Sequence, residues 1–362
     1  MTSLPNQKTG QRARLASALA CMLMLAGLLI GAVPASGQNG LLEITFIDVG
    51  QGESTLIKSP DGKYMLIDGG EYRNVSSVID ALASSGLSRL DCVIATHPHS
   101  DHVGGLSEVF RRYAVGTAYD IGRVHPTSSY EYYLDAVKNA KSKFVLIRAG
   151  LSFKLGANVS ITFLWPDKDM PQDLNNASAA FLLKYGDFDV LFMADCGIET
   201  ETAMLKAGKV LPVELLKVGH HGSRHSSSSD FLRVASPELG IISAGRGNDY
   251  GYPQQDTLRR LGDAGVQVMR TDLNGTITVS SDGKSWWASA ANGQKAVQQQ
   301  SAPPAAKHVQ SKLIYVGSLS SAVFHLSSCE AVATIAKANL VTYASREDAV
   351  NKGKRPCKIC NP

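Results

Sequence analysis

Three histidines and an aspartate fall within six residues in His97-Pro98-His99-Ser100-Asp101-His102. Imidazole and carboxylate are ligands for zinc, and also for manganese or iron. Without a metal such a cluster is expensive, because adjacent imidazoles compete for the same desolvated space. Asp195 follows the apolar run Val190-Leu191-Phe192-Met193, a carboxylate at a strand end and suited to bridging two cations. His220 and His221 follow Leu215-Leu216-Lys217-Val218-Gly219, again ligand types at a strand terminus. Two cations held roughly 3.5 to 4 Å apart lower the pKa of a shared water, orient it for in-line attack and neutralise developing charge. The chemistry implied is hydrolysis at a centre of two divalent ions, zinc first and manganese second, with Asp101 and Asp195 as its catalytic carboxylates. Arg224 and His225, just beyond, are candidates for gripping an anionic substrate.

Such side chains need a rigid frame. Short β-rich runs at 44–49, 64–67, 92–95, 159–164, 190–193, 239–243 and 276–280 interleave with helical spacing at 75–83, 105–112 and 257–263. This alternation predicts a layered α/β domain. Val93-Ile94-Ala95-Thr96 leads into the histidine motif and Val103-Gly104-Gly105 leaves it, so the ligands are expected on a loop between strand and helix.

Further phrases extend the pattern: Phe46-Ile47-Asp48-Val49-Gly50-Gln51-Gly52-Glu53, Leu66-Ile67-Asp68-Gly69-Gly70, Asn175-Asn176-Ala177-Ser178, Ala194-Asp195, Leu216-Lys217-Val218-Gly219-His220-His221-Gly222-Ser223 and Thr271-Asp272-Leu273-Asn274-Gly275. In this order, residues 42–287 resemble the metallo-β-lactamase superfamily and, within it, the soluble domain of ComEC competence proteins and their stand-alone secreted relatives. The resemblance implies a four-layer αββα fold. It also implies His97 and His99 on one metal, Asp101 and His102 on the other, and Asp195 between them. One of His220 and His221 completes the second metal, with His220 preferred as the first residue beyond the strand. Asp68 would orient the metal loop from behind, or simply cap the turn before Gly69-Gly70. The superfamily often has a further histidine before the bridging aspartate, and the stretch around 175–178 offers none, which leaves that position to water. Tyr250-Gly251-Tyr252-Pro253 stands where ComEC-like proteins usually read Tyr-Gly-His-Pro. Tyr252 can donate a hydrogen bond to a phosphoryl oxygen but cannot shuttle protons near neutrality as histidine does.

Lys8, Arg12 and Arg14 precede an apolar run from Leu15 to Val33, and Val33-Pro34-Ala35 offers small residues for cleavage. Residues 1–35 read as a secretory leader, with a membrane anchor as the alternative. The mature protein is thus expected to be secreted or periplasmic, without a stable membrane span. Losing the leader takes the formal charge from +4 to about +1. Residues 36–294 carry 24 Lys/Arg against 29 Asp/Glu, while 312–362 carry seven against three. Bulk charge therefore advertises no nucleic-acid surface on the catalytic region, expected at 40–288. Residues 289–311, rich in Ala, Gln, Ser and Pro, read as a flexible linker.

The remainder, 312–362, is expected to be a small zinc-binding α+β module. His325-x-x-x-Cys329 and Cys357-x-x-Cys360 supply four ligands for one closed tetrahedral, structural zinc. Some fifty residues build little core alone, so the metal would supply folding free energy. A Cys357–Cys360 disulfide is the alternative, and Cys92 reads as a buried strand residue. Arg355-Pro356-Cys357-Lys358-Ile359-Cys360-Asn361-Pro362 resembles the metal-binding domain of Ada-type DNA-repair proteins. That domain uses four cysteines, and His325 stands at the methyl-accepting position, so methyl transfer is not expected. A basic zinc knuckle for DNA and a structural cap remain. Together these readings indicate a secreted metal-dependent hydrolase, a phosphodiesterase or DNase acting on a phosphodiester substrate such as DNA. The alternatives are a small-ester, phosphorylcholine or lactam/lactone hydrolase of the envelope, and a non-catalytic, metal-stabilised DNA-binding protein. No protein partner is identifiable.

Overall fold

Neighbouring strand residues Val93 and Ile94 are both buried, one on each face of their sheet. A sheet that is apolar on both sides must be covered on both, and two such sheets packed together need helices outside each. The computed structural model has that arrangement. It describes residues 1–2, 40–293, 297–298, 315–327, 329–344, 346–357 and 360; the expected leader lies almost wholly outside them. No helix of the described residues is long and apolar enough to cross a membrane.

The first sheet starts with β1 (Leu42–Phe46), β2 (Thr55–Lys58), β3 (Tyr64–Ile67), β4 (Arg89–Ala95), β5 (Ala114–Asp120) and β6 (Lys143–Leu146). The second consists of β7 (Ser152–Leu155), β8 (Val159–Trp165), β9 (Ala180–Tyr185), β10 (Phe188–Phe192), β11 (Leu215–Lys217), β12 (Leu239–Ile242) and β13 (Gln267–Arg270). The chain then returns through β14 (Ile277–Ser281), β15 (Trp286–Ala290) and β16 (Val297–Gln298), which extend the first sheet beside β1 to nine strands. Strands β3 to β6 run parallel to one another, as do β10 to β13.

Between the sheets lie Ile44, Phe46, Ile94, Phe163, Phe181 and Phe192, with the Phe181 and Phe192 rings stacked 4.7 Å apart. Outside the first sheet, Leu66 and Val93 pack against α1 (Val75–Ser84), α3 (Leu106–Arg112) and α4 (Ser128–Asn139). A single helical turn, α2 (Ser100–Val103), precedes α3. Outside the second sheet, Leu191 and Leu216 pack with Met204, Phe231 and Leu261 of α5 (Ile198–Lys206), α6 (Ser229–Ala235) and α7 (Gln255–Asp263). The short α8 (Thr271–Asn274) precedes β14. The result is the expected αββα order of layers.

The stretch expected to be a linker is not uniform. Val297 and Gln298 pair with Ala288 and Trp287 at the sheet edge, so backbone bonding orders a segment with little to bury; most of the rest of that stretch lies outside the described residues. The C-terminal module is a four-stranded sheet of β17 (Tyr315–Ser318), β18 (Val323–Leu326), β19 (Leu340–Tyr343) and β20 (Arg355–Pro356), ordered β19-β17-β18-β20, with α9 (Arg346–Asn351).

Candidate metal centre

Four segments converge because each leaves the C-terminal end of a parallel strand: Asp68 after β3, residues 97–102 after β4, Asp195 after β10, and His220-His221 after β11. That edge is where open α/β sheets bind ligands. The exits turn sharply. Of seven non-glycine residues with positive φ among those described, four are here: Asp68 (55°), Ala194 (43°), His220 (49°) and His221 (53°). Each such conformation costs about 1 to 3 kcal/mol and persists only where surrounding structure holds it.

The expected loop after β4 is partly helical. His99 has extended backbone, and Asp101 and His102 ride on α2, which projects them side by side. The phrase ending in Glu53 clamps this turn. Gly52 has φ 130° and a Cβ there would run into the Asp101 carbonyl, so glycine is required. The Glu53 amide donates to that same carbonyl at 3.0 Å, and the Gly69 amide donates to the His102 carbonyl at 2.6 Å.

Two imidazoles are aimed by what holds their other nitrogen. Asp68 is fixed by the Thr96 amide (2.8 Å) and hydroxyl (2.7 Å), and its Oδ2 receives His102 Nδ1 at 2.7 Å. His221 Nδ1 donates to the Ser243 carbonyl at 2.9 Å. Both therefore present a bare Nε2 inward, as metal-binding histidines do. His102 Nε2 lies 3.3 Å from Asp195 Oδ1, and His221 Nε2 lies 3.3 Å from Asp101 Oδ2 and 3.6 Å from Asp195 Oδ1. On the opposite side, Asp195 Oδ2 is 3.7 Å from His97 Nε2 and 3.8 Å from His220 Nε2, and His97 Nε2 is 2.9 Å from His99 Nδ1. Asp195 thus turns one oxygen to each group. His220 is expected beside Asp101 and His102, but it is His221 that stands there, and His220 faces the His97 side. Successive left-handed residues splay the two rings to opposite sides of the aspartate.

The donor set fits metal. Nε2 of His102, Nε2 of His221 and Oδ1 of Asp195 are buried and hydrogen-bonded to nothing, a cost that folded proteins rarely leave unmet. Ligand atoms of His97, His102 and Asp195 lie within 4.8 Å of one another, as do those of Asp101, His102 and His221. The charges of these groups act strongly on one another. Burial, helped by the charge on His102, holds His97 well below the ordinary imidazole range, and burial lowers His99 and His220. For His102 and His221 burial acts the same way, but Asp195 and Asp101 outweigh it and raise both. Burial would raise Asp101 and Asp195, yet His102 and then His221 hold both below the usual carboxylate range. Asp68 is raised, mainly by burial.

A cavity of about 310 Å³ opens over the centre, lined by His99, Asp101, Asp195, His220, His221 and Tyr252 among others. Arg224 and His225 do not line it. The backbone N–H and Nε of Arg224 both bond Gln254 Oε1, which holds that side chain aside. Residues not foreseen as site residues are Gln51, His125, Asn175 and Tyr250 in the cavity wall, and a fully buried ion pair, Lys217 Nζ to Glu53 Oε2 at 2.7 Å. His125 lies between the first motif and Asp195, outside the 175–178 stretch where a further histidine is expected.

In the C-terminal module the ligand atoms of His325, Cys329, Cys357 and Cys360 lie within 4.8 Å of one another. None of the described cysteines is in a disulfide, and Cys92 is a buried strand residue.

Residues 47–246 match the family model of the metallo-beta-lactamase superfamily. ComE operon protein 3 of Bacillus subtilis is 28% identical over 252 residues, 65% of this chain and 32% of that protein. Competence protein ComA of Neisseria gonorrhoeae is 29% identical over 262 residues, 71% of this chain and 34% of that one. The chain thus spans about a third of the length of these relatives. Among solved structures, the metallo-beta-lactamase fold protein YhfI from Bacillus subtilis is similar with a TM-score of 0.43 and 13% identity, over 63% of this chain and 95% of that one.

Proposed function

The chain belongs to the metallo-beta-lactamase superfamily, and from that premise we propose that it is an extracytoplasmic phosphodiesterase that cleaves DNA at a centre of two divalent cations. In this reading His97, His99 and His220 hold one cation, Asp101, His102 and His221 hold the other, and Asp195 serves both. His220 then fills the place of the histidine that the 175–178 stretch lacks. The observation that carries the reading is the set of three orphaned buried atoms, His102 Nε2, His221 Nε2 and Asp195 Oδ1, beneath an open cavity. Kinship with competence proteins supports DNA as the substrate, and the leader-like N-terminus supports export. The donor set suits zinc, with manganese as the second choice.

When bound, the cations supply Lewis acidity and an activated water. The rest is done by the chain's own residues. Asp68 and the Ser243 carbonyl keep two imidazoles in the tautomer that leaves Nε2 free. Tyr252, with its hydroxyl 3.4 Å from His220 Nε2, donates a hydrogen bond to a phosphoryl oxygen. Burial raises its pKa above the ordinary phenol value, so it acts as a fixed donor rather than a proton shuttle.

Metal analysis combined with hydrolysis of plasmid, single-stranded DNA and bis(p-nitrophenyl) phosphate tests this, comparing wild type with Asp101→Ala. The wild type is expected to bind two ions at this centre beyond one zinc in the tail, and to cleave. Asp101→Ala is expected to lose one ion and all turnover. A wild type that holds its metals yet hydrolyses none of the three substrates sinks the reading and leaves a binding protein.

A further inference from the structure

Three rings form a column from the metal centre to solvent. His221 and Tyr252 are stacked at 6.1 Å with planes 28° apart, and Tyr252 and Tyr250 at 5.5 Å with planes 12° apart. Tyr250 is 64% exposed and lines the cavity. The column is built rather than incidental. Asn248 Oδ1 accepts from the amides of Tyr250 (3.2 Å) and Tyr252 (3.0 Å), and its Nδ2 donates to the carbonyls of Gly245 (2.8 Å) and Tyr252 (2.7 Å). Gly251, at φ 67°, makes the turn that brings the two tyrosines into register.

Among the described residues, no lysine or arginine lines the cavity. A phosphodiester held there has the cations and a few neutral donors for its phosphate, so further affinity must come from another part of the substrate. An ordered aromatic face costs little entropy to use, and every nucleobase has a π-face to lay on it. A base paired and stacked within a duplex is not available to that face, whereas an unpaired base is.

Resting on the phosphodiesterase reading, we propose that Tyr250 is a base-stacking platform that selects single-stranded nucleic acid, with one unpaired base continuing the His221-Tyr252-Tyr250 column while the adjoining phosphate sits at the cations. The test uses the metal-loaded full chain and two single-stranded oligonucleotides of equal length, one bearing bases and one built from abasic tetrahydrofuran units. In the wild type, kcat/KM is expected to favour the base-bearing strand by about 5- to 150-fold, as one stacked base gives. That ratio falls towards unity in Tyr250→Ala and survives in Tyr250→Phe. A 2-aminopurine in the base-bearing strand is quenched on binding to wild type and Tyr250→Phe, and not to Tyr250→Ala. An unchanged ratio and unchanged quenching in Tyr250→Ala overturn the stacking proposal alone, because cleavage itself persists. A wild type that neither cleaves nor binds the base-bearing strand overturns it together with the phosphodiesterase reading.

Discussion

Asp68 takes hydrogen bonds from the Thr96 amide and hydroxyl and from His102 Nδ1. In Asp68→Asn an amide replaces one oxygen, and the group facing His102 no longer fixes its tautomer. Metal affinity is expected to fall about 10- to 100-fold, typical when a ligand's outer partner is lost, with the fold retained. A chelator-competition titration reads this; equal affinities would leave Asp68 as a turn residue only. The first motif was legible because its candidate ligands are local in sequence. The placement of His220 and His221 was not, since it depends on two left-handed residues and on Ser243, 22 residues away. Asp68 was ambiguous for the same reason: its partners, Thr96 and His102, are 28 and 34 residues distant.

At the scale of elements, Glu53 leads into β2 of one sheet and Lys217 ends β11 of the other, so their ion pair ties the two sheets together beneath the site. Both side chains are essentially without solvent contact. Lys217→Met would leave Glu53 buried without its counter-charge, at a cost of about 3 to 5 kcal/mol. Glu53→Gln combined with Lys217→Met is expected to recover much of this, and urea titrations of the three proteins measure it. A pairing across 164 positions has no signature in one sequence. Asp120 closes β5, where its Oδ1 accepts from the Gly122 amide and the Tyr130 hydroxyl, and burial pushes its pKa up to about 6. A carboxyl raised on folding contributes stability that is full below its ordinary value of 3.8 and is lost as pH rises through the folded value. Relative to Asp120→Asn, the wild type should lose about 3 kcal/mol across that window. Melting temperatures of the pair should diverge between pH 4 and 7; a constant gap would show that Asp120 does not titrate there. The strands carrying ligands were legible because they are apolar runs ending in chemistry. Helix α4 was not, because its buried face is Tyr130, Tyr133 and Val137 in an otherwise polar segment, and edge strand β6 buries almost nothing.

For the molecule as a whole, the order of motifs along the chain gave away the layered fold, since each motif marks the end of a particular strand. The C-terminal module has no such redundancy. Its core cluster is Phe324, Tyr343 and Ala349, with Tyr315 and Val341 packed against them. Burying a large apolar side chain gains about 1.5 to 3 kcal/mol, whereas ordering each residue costs about 1 to 2 kcal/mol, so this cluster cannot hold the module by itself. Metal at His325, Cys329, Cys357 and Cys360 would join β18 to the segment after β20 and supply the difference. Buried His325 Nδ1 has no hydrogen-bond partner, as a ligand atom would. Replacing Cys357 and Cys360 by serine should therefore remove one zinc per chain and abolish amide-exchange protection in β17 to β20. The two large sheets, with cores of their own, should exchange as in the wild type. Because, among the described residues, the strands of the module pair only with one another, the loss should stop at its boundary and leave bis(p-nitrophenyl) phosphate hydrolysis at the other centre intact. Protection in β17 to β20 that survives the loss of zinc would mean that the four ligands decorate a module stable for other reasons.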